Sequence, residues 1–321
     1  MQFVVLGAGA IGGVVAARLF EAGHDVVAVA RGAHREAMAA HGLELRSPSG
    51  TTTLRLPVAS DPQSVAWAAD SVVLLAVKSQ QTGAALGSLR GAVAETTPVV
   101  CLQNGVANEG KAARSFSAVY GVSVMCPTLH LEPGVVEASS SPTTGILDIG
   151  RYPSGRDALA EAVAAAFSSA TFQSAVRDDI MRWKWSKLLT NLGNIIEAAC
   201  GPPGRRSALA ALVRKEGEAC LRAAGIDFVS AKEDAERRGD ILRVSPVSGR
   251  QRPGGSTWQS LARGTGDIET DFLNGEVARL GALHSVPTPA NELLCALGAE
   301  MAARRVPPGS YAAADLLARL A

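Results

Sequence analysis

The stretch VVLGAGAIGG, residues 4–13, decides the fold of this chain. Apolar residues lead directly into three spaced glycines, and an alanine-rich helical run follows. Gly7 permits a tight turn after a strand, Gly9 lets a pyrophosphate approach the backbone, and Gly12 lets helix and strand pack closely. The N–H groups at the start of the helix attract phosphate. The stretch predicts a dinucleotide site made of Gly7, Gly9, Ala10, Ile11 and Gly12.

The first half of the chain repeats this strand-and-helix rhythm. Short apolar and β-branched runs recur at 3–6, 26–30, 71–77, 98–103, 118–125 and 134–139. Continuous apolar runs of this length are typical of buried parallel strands. Alanine-rich helical runs separate them. The alternation predicts an α/β fold whose N-terminal part is a Rossmann sheet, doubly wound and parallel.

After about residue 177 the β-branched runs disappear from the sequence. Helical patterns take over at 178–199, 206–224, 229–240, 257–282 and 288–304. We therefore predict two domains, a dinucleotide-binding domain over 1–177 and a mostly α-helical substrate and catalytic domain over 178–321. Residues 244–256 are rich in Pro, Gly and Arg, which predicts a mobile lid.

The composition limits the classes of function that the chain can have. Of its 321 residues, 47% are hydrophobic and 19% are charged, which allows a large core and argues against disorder. The formal net charge of +1 gives no general attraction to nucleic acid or to an acidic membrane, and no transmembrane segment is evident. The five cysteines are dispersed without a CxxC pair or metal spacing. This pattern predicts a cytoplasmic protein with reduced thiols and no metal site.

The end of the second predicted strand, VAVARGAHR at 27–35, indicates which dinucleotide is bound. Sites for NAD usually carry an acidic residue here to hold the ribose 2′-OH. This chain has Arg31 instead, with His34 and Arg35 behind it. The charge and planar donors of an arginine suit a 2′-phosphate. The sequence therefore predicts NADP(H), against the alternative of an ordinary surface arginine.

Two further polar residues follow predicted strand ends. Lys78 comes after the run at 71–77, and Asn104 comes after the run at 98–103. Ligands bind outside the carboxyl ends of strands in doubly wound sheets, so both are candidates for the cofactor site. The alternatives are a solvated lysine and a plain Asn-Gly turn.

The helical half opens with a polar stripe in WKWSKLLTNLGN, residues 183–194. Lys187, Asn191 and Asn194 stand at i, i+4 and i+7, which places them on one face of a continuous helix. Hydride transfer to a ketone builds negative charge on its oxygen, and a lysine can stabilise that charge and then donate a proton. We predict that the stripe is a pocket floor facing the nicotinamide, against the alternative of a structural lysine on an amphipathic helix.

Together these residues resemble ketopantoate reductase along the whole chain. The resemblance rests on the glycine loop, AR after the second strand, VK after the third, QNG after the fourth, KLLTN in the helical half and ETDFLNG near the end. It implies NADPH-dependent reduction of the small α-keto acid ketopantoate to pantoate, in pantothenate biosynthesis. It also implies that Lys187 is the catalytic acid, that Glu269 supports catalysis, and that Asn191, Ser256 and Asn104 contact substrate.

The chain also departs from the family pattern. The family's second asparagine falls on Ile195, with Asn194 one position earlier, and another substrate-binding asparagine falls on Pro253. The departures leave open a related α-keto acid as substrate, with Arg250 or Arg252 contacting its carboxylate. Ser256 has a second interpretation as the cap of a helix, because STWQ fits a capping box with Gln259.

Two other functions stay open from the sequence. A β-hydroxyacid dehydrogenase shares the glycine loop, a helical second domain and a KxxxN helix, although it usually carries a G-x-G before the lysine where this chain has MRWKWS. A non-catalytic NADP-binding sensor is the other alternative. A homodimer is compatible with the paired helical domain.

Overall fold

The computed structural model describes residues 1–320, which fold into two compact units. The first unit contains Met1–Lys184 and Ala231–Arg252, and the second contains Trp185–Ser230 and the chain from Pro253 onward. The chain therefore leaves the first unit, returns to it once, and leaves again. The division into functional domains at residue 177 stays a prediction.

The strands of the first unit form two sheets. They are β1 Gln2–Leu6, β2 Asp25–Val29, β3 Leu43–Ser47, β4 Gly50–Leu54, β5 Val58–Ala59, β6 Val72–Leu75, β7 Val99–Cys101, β8 Val119–Met125, β9 Thr128–Leu129, β10 Val135–Ala138, β11 Gly145–Arg151 and β12 Phe172–Gln173. The larger sheet has the order β12-β11-β8-β7-β6-β1-β2-β5, and all of its neighbours are parallel except β8 and β11. The smaller sheet has the order β4-β3-β10-β9.

The central strands are apolar throughout because both faces of the larger sheet are covered. In β1, Phe3 and Val5 belong to one core cluster, and Val4 and Leu6 belong to another. Successive side chains of a strand point to opposite faces, so one short strand contributes to both clusters. The predicted α/β class with an N-terminal doubly wound sheet is confirmed.

Helices connect these strands and make up the second unit. They are α1 Ala10–Glu21, α2 Gly32–His41, α3 Thr82–Arg90, α4 Asn108–Ala112, α5 Ala158–Ser169, α6 Ile180–Asn191, α7 Asn194–Cys200, α8 Ala208–Ala223, α9 Ala231–Arg238, α10 Ser256–Ala262, α11 Thr270–His284, α12 Pro289–Arg304 and α13 Ala313–Ala318. The helices predicted over 206–224 and 288–304 are confirmed as α8 and α12. Within residues 1–320, no helix has the length and apolar character that crossing a membrane requires.

Two of the predicted long helices are wrong because each is interrupted. The helix predicted over 178–199 is α6 and α7, separated at Leu192 and Gly193, and the buried amide of Asn274 donates to the Leu192 carbonyl at 3.2 Å. The helix predicted over 257–282 is α10 and α11. Gly264 and Gly266 separate them with φ of +65° and +63°, a left-handed conformation that glycine adopts without strain.

The returning segment is held on the first unit by a buried carboxylate. Asp148 in β11 is fully buried and accepts hydrogen bonds from Arg177 at 2.9 Å and from Arg237 of α9 at 2.6 Å. Glu233 of α9 forms a two-bond ion pair with Arg182, at 2.9 and 3.0 Å. A buried charge is costly without partners, so removing Arg237 would leave Asp148 with one arginine and α9 with only the Glu233–Arg182 pair of these two attachments.

Candidate active site

The glycine loop between β1 and α1 has the shape that a dinucleotide needs. Gly7 has φ of +104°, and a Cβ there would lie 2.8 Å from the Val77 side chain. A Cβ on Gly12 would lie 2.1 Å from the Gly7 carbonyl oxygen, so loop and helix are in direct contact. A Cβ on Gly9 would meet nothing within 4 Å, and no side chain caps the start of the twelve-residue helix α1. The loop therefore has open space and free helix N–H groups where a pyrophosphate would fit.

Arg31 lies where the sequence analysis expects the discriminating residue. It directly follows β2 and precedes α2, with an extended backbone (φ −133°, ψ 161°), and its side chain is exposed.

His34 braces the glycine loop, a role that sequence reasoning did not find. The backbone N–H of Gly134 donates to Nδ1 of His34 at 2.8 Å, so this nitrogen carries no proton. The other ring nitrogen, Nε2, therefore carries the proton and donates to the carbonyl oxygen of Ala8 at 2.8 Å. The neutral imidazole thus connects the glycine loop to the turn before β10.

This brace predicts a pH dependence of stability. Burial is the largest effect on His34 and lowers its pKa, although the bond to Ala8 opposes the shift. The unfolded chain therefore takes up this proton at a higher pH than the folded chain. The stabilisation from His34 is complete above about pH 6.5 and is lost as the pH falls toward the lowered pKa. We expect Tm to fall less between about pH 7 and pH 5 in His34→Gln than in the wild type.

Thermal denaturation at several pH values measures this difference. His284→Gln is the matched control, because His284 is exposed at the end of α11. An equal dependence of Tm on pH in the wild type and His34→Gln would show that His34 is not the group that titrates.

The two loops that carry Lys78 and Asn104 are joined by a buried hydrogen-bond network. The Gln103 amide donates to Thr82 Oγ1 at 2.8 Å, and Thr82 donates to Asn108 Oδ1 at 2.9 Å. Asn108 in turn donates to the Asn104 carbonyl at 3.0 Å. Because the Gln103–Thr82 and Thr82–Asn108 bonds join one segment to the other, the network fixes the two strand-end loops relative to each other.

A buried lysine of α6, Lys184, anchors the segment that carries Asn104 and also bonds strand β8. Its Nζ donates to the carbonyl of Gln103 at 2.7 Å and of Val122 at 3.1 Å, and lies 2.8 Å from Glu109 Oε1. Lys184 is 3% exposed and Glu109 is fully buried. The ammonium group is thereby held by two hydrogen bonds and one buried ion pair. Of the two lysines in WKWSK, Lys184 is therefore structural, and a catalytic role for Lys187 stays a prediction.

In the second unit, α6 brings together two of the three stripe residues. Lys187 is half-buried and Asn191 is buried, one helical turn apart on the same face. Asn194 lies beyond the end of α6, as the first residue of α7. The prediction that one continuous helix carries all three residues is wrong, because the backbone is redirected at Leu192 and Gly193.

A polar cluster in the second unit holds this redirection. Asn274, from the FLNG part of the late motif, donates to the Leu192 carbonyl and, at 3.0 Å, to Asn291 Oδ1. Asn291 donates to Glu216 at 2.7 Å, and Glu216 also accepts the backbone N–H of Ala290 at 3.0 Å. These buried groups fix the end of α6 and hence the direction of Asn191.

Ser256 does not cap a helix. The capping position of α10 is Gly255, and no side chain caps this end, so the alternative interpretation of Ser256 as the cap of a capping box with Gln259 is wrong. The backbone N–H of Gly255 donates instead to the Glu197 carboxylate at 3.1 Å. Ser256 is the first residue of α10, and its side chain makes no capping hydrogen bond.

The remaining candidates lie at the edges of elements. Glu269 is half-buried at the residue before α11 and makes no capping hydrogen bond. Arg250 is exposed and pairs with Glu137 at 3.2 Å within the first unit, while Arg252 is half-buried. Within residues 1–320, no group of three or more His, Cys, Asp or Glu side chains is suited to hold a metal ion.

Comparison with known proteins places this geometry in a family. Residues 3–154 match the family model described as Ketopantoate reductase PanE/ApbA, and residues 179–302 match the model of its C-terminal part. A 2-dehydropantoate 2-reductase of Pyrococcus horikoshii is 32% identical over 92% of this chain and 96% of its own length. The crystal structure of a PanE/ApbA family ketopantoate reductase from Ralstonia eutropha is 30% identical with a TM-score of 0.78, and covers 95% of this chain and 99% of its own.

The same fold also occurs in a more distant enzyme. A ternary structure of D-mandelate dehydrogenase with NADH and anilino(oxo)acetate has a TM-score of 0.79 at 20% identity, over 95% of this chain and 99% of its own. This likeness concerns the fold alone.

Proposed function

Because this chain belongs to the ketopantoate reductase family, we propose that it reduces the ketone of ketopantoate to the alcohol of pantoate. Lys187 and Asn191, one helical turn apart on α6, carry the proposal. A lysine beside a neutral amide on a rigid helix can protonate a ketone oxygen while the amide orients the reacting group. The reaction class follows from the family, and the role of each residue is our proposal.

In the proposed mechanism the residues of α6 handle the oxygen of the ketone. A nicotinamide held at the glycine loop would supply the hydride for the carbonyl carbon. Lys187 hydrogen-bonds the carbonyl oxygen, stabilises the negative charge that develops there, and donates the proton that completes the hydroxyl. The neutral amine then regains a proton from solvent. Asn191 orients the substrate, and Glu269 supports Lys187 as a neighbouring carboxylate.

The cofactor is a nicotinamide dinucleotide, and we propose that it is NADP(H). The glycine loop offers open space at Gly9 and an uncapped helix end for the pyrophosphate. Beyond β2, exposed Arg31 replaces the acidic residue of NAD sites, and its guanidinium suits a 2′-phosphate. Lys78 and Asn104 lie on the two loops that the Gln103–Asn108 network holds, and we propose that they border the nicotinamide.

The substrate contacts are proposed for Asn191, Asn194, Ser256 and Asn104. Ile195 is only 1% exposed, so the position that aligns with the family's second asparagine belongs to the core here. In that segment, Asn194 is thus the residue whose polar side chain could contact the substrate. This rearrangement supports either ketopantoate or a related α-keto acid as the natural substrate.

Turnover of a panel of keto acids tests the proposed function. We expect the protein to oxidise NADPH when ketopantoate, pyruvate, 2-ketoisovalerate or 2-ketoisocaproate is present. The decrease in the absorbance of the reduced nicotinamide measures this oxidation. Oxidation of 3-hydroxy acids with NADP⁺, and no keto-acid reduction, would instead indicate a β-hydroxyacid dehydrogenase. Tight NADPH binding with no turnover of either class would indicate a non-catalytic sensor.

We also propose that the protein acts in the cytoplasm and forms a homodimer. The dispersed cysteines, none of them in a disulfide within residues 1–320, suit a reducing compartment. Sedimentation or light scattering would measure the oligomeric state.

A further inference from the structure

Three segments of the second unit meet at the side chain of Arg205. Its Nη2 donates to Asn194 Oδ1 at 2.6 Å, and its Nε donates to the Glu197 carboxylate. The other oxygen of Glu197 accepts the backbone N–H of Gly255 at 3.1 Å. Arg205 therefore connects α7 to the start of α10, through a carboxylate that is itself held at both oxygens.

This arrangement fixes which way the Asn194 amide faces. A guanidinium has only donors, so the oxygen of the amide must face Arg205. The amino group, Nδ2, then points away from Arg205, and it donates no hydrogen bond to any residue in 1–320. Asn194 is 8% exposed, so its amide has little room to turn over. Its two amide hydrogens therefore point to a ligand or to solvent.

The position of Arg205 is close to two residues proposed to contact substrate. Its guanidinium lies beside Asn194 and within 3.7 Å of where a Cβ on Gly255 would stand, immediately before Ser256. Neither Ile195, which is in the core, nor exposed Pro253 provides the amide that the family pattern has at these positions. The chain therefore differs from the family pattern in the hydrogen-bonding side chains of the two segments that Arg205 connects.

We propose that Arg205 is a positioning residue that determines substrate specificity, by holding Asn194 as a hydrogen-bond donor toward an oxygen of the keto acid. An unconstrained asparagine can turn over and offer either its oxygen or its amino group, whereas this one only donates. Glu197 keeps the guanidinium in place. The inference rests on the proposed function, because it concerns the same substrate. The oxygen belongs to the carboxylate shared by all 2-keto acids or to a hydroxyl further along the substrate.

Asn194→Asp separates the proposed role from a structural one. Aspartate keeps an oxygen facing Arg205 and strengthens that bond by charge, but it replaces the donor with an acceptor that repels a substrate oxygen. We expect KM for the keto acid to rise about 10- to 100-fold, with kcat within about threefold of the wild type. We also expect Tm to be unchanged or higher. A wild-type KM would overturn the proposal.

Arg205→Ala tests the action of the arginine through Asn194. We expect KM to rise by about tenfold, with a partial return in Arg205→Lys, because a lysine can bond either Asn194 or Glu197. The effects of Arg205→Ala and Asn194→Ala on KM should be less than additive in the double variant. Arg206→Ala is the matched control, since Arg206 is the exposed neighbour in the same loop. Fully additive effects would overturn the proposal.

The substrates used distinguish the two sources of the oxygen. An equal rise in KM for ketopantoate and 2-ketoisovalerate would assign the contact to the shared carboxylate, and a rise for ketopantoate alone would assign it to the hydroxyl. A wild type that reduces keto acids, with an Asn194→Asp variant of unchanged KM, would refute this inference and leave the proposed function intact. A wild type that reduces no keto acid would refute both.

Discussion

Replacement of Lys187 by methionine is expected to lower kcat for keto-acid reduction by about 10²- to 10⁴-fold, the usual contribution of a general acid. Methionine keeps an unbranched apolar side chain of similar length on α6, so packing against the helix is largely retained. What is lost is the ammonium group that stabilises and protonates the developing alkoxide. NADPH binding should be unchanged, because the role proposed for Lys187 concerns the substrate alone.

Steady-state kinetics with ketopantoate, together with NADPH titration by fluorescence, measures this prediction. Lys215→Met is the control, because Lys215 is an exposed lysine on α8. Lys184→Met is unsuitable, since it would leave buried Glu109 without its cation. If kcat of Lys187→Met stays within about threefold of the wild type, another group supplies the proton and the assignment of Lys187 is wrong.

Reversal of charge at Arg31 is expected to raise the KM for NADPH by about 10²- to 10³-fold. Loss of hydrogen bonds from a charged donor costs about 1.5–3 kcal/mol, and an aspartate adds repulsion of the 2′-phosphate. The same aspartate can accept hydrogen bonds from the ribose hydroxyls of NADH. Arg31→Asp should therefore improve the use of NADH relative to NADPH, rather than weaken both cofactors equally.

Comparison of kcat/KM for the two cofactors in each variant measures this switch. Arg114→Asp is the control, because Arg114 is exposed in the loop after α4. Equal ratios of kcat/KM for NADPH and NADH in Arg31→Asp and the wild type would show that Arg31 does not read the 2′-phosphate.

The parts of the fold that sequence predicted best are those specified by neighbouring residues. The glycine loop needs Gly7 for a positive φ and Gly12 for close packing, and both requirements are visible in a ten-residue stretch. The buried central strands are similarly visible as continuous apolar runs. The β3–β4 hairpin escaped prediction although Leu43 and Leu45 alternate with polar residues, because its second strand is a run of threonines with no buried face.

The parts that sequence could not predict depend on contacts between distant positions. The break after Asn191 is held by Asn274, more than eighty residues later, so the local pattern indicated one long helix. Ser256 fitted a capping box locally, yet Glu197 bonds the helix start instead. The role of Arg205 could not be predicted, because the sequence shows only a surface arginine after two prolines. Its contacts with Asn194 and Glu197 exist only in the folded chain.

The buried carboxylate of Asp148 also affects the order in which the protein can fold during synthesis. One of its arginine partners, Arg237, belongs to the returning segment, which ends at Arg252. The ribosome must therefore add another 68 residues after Lys184 (252 minus 184) before the first unit has all of its chain. At about 5–20 residues per second this delay is roughly 3–14 s. For most of that interval, until Arg237 has been added, the nascent sheet carries a buried carboxylate with only one of its two arginine partners.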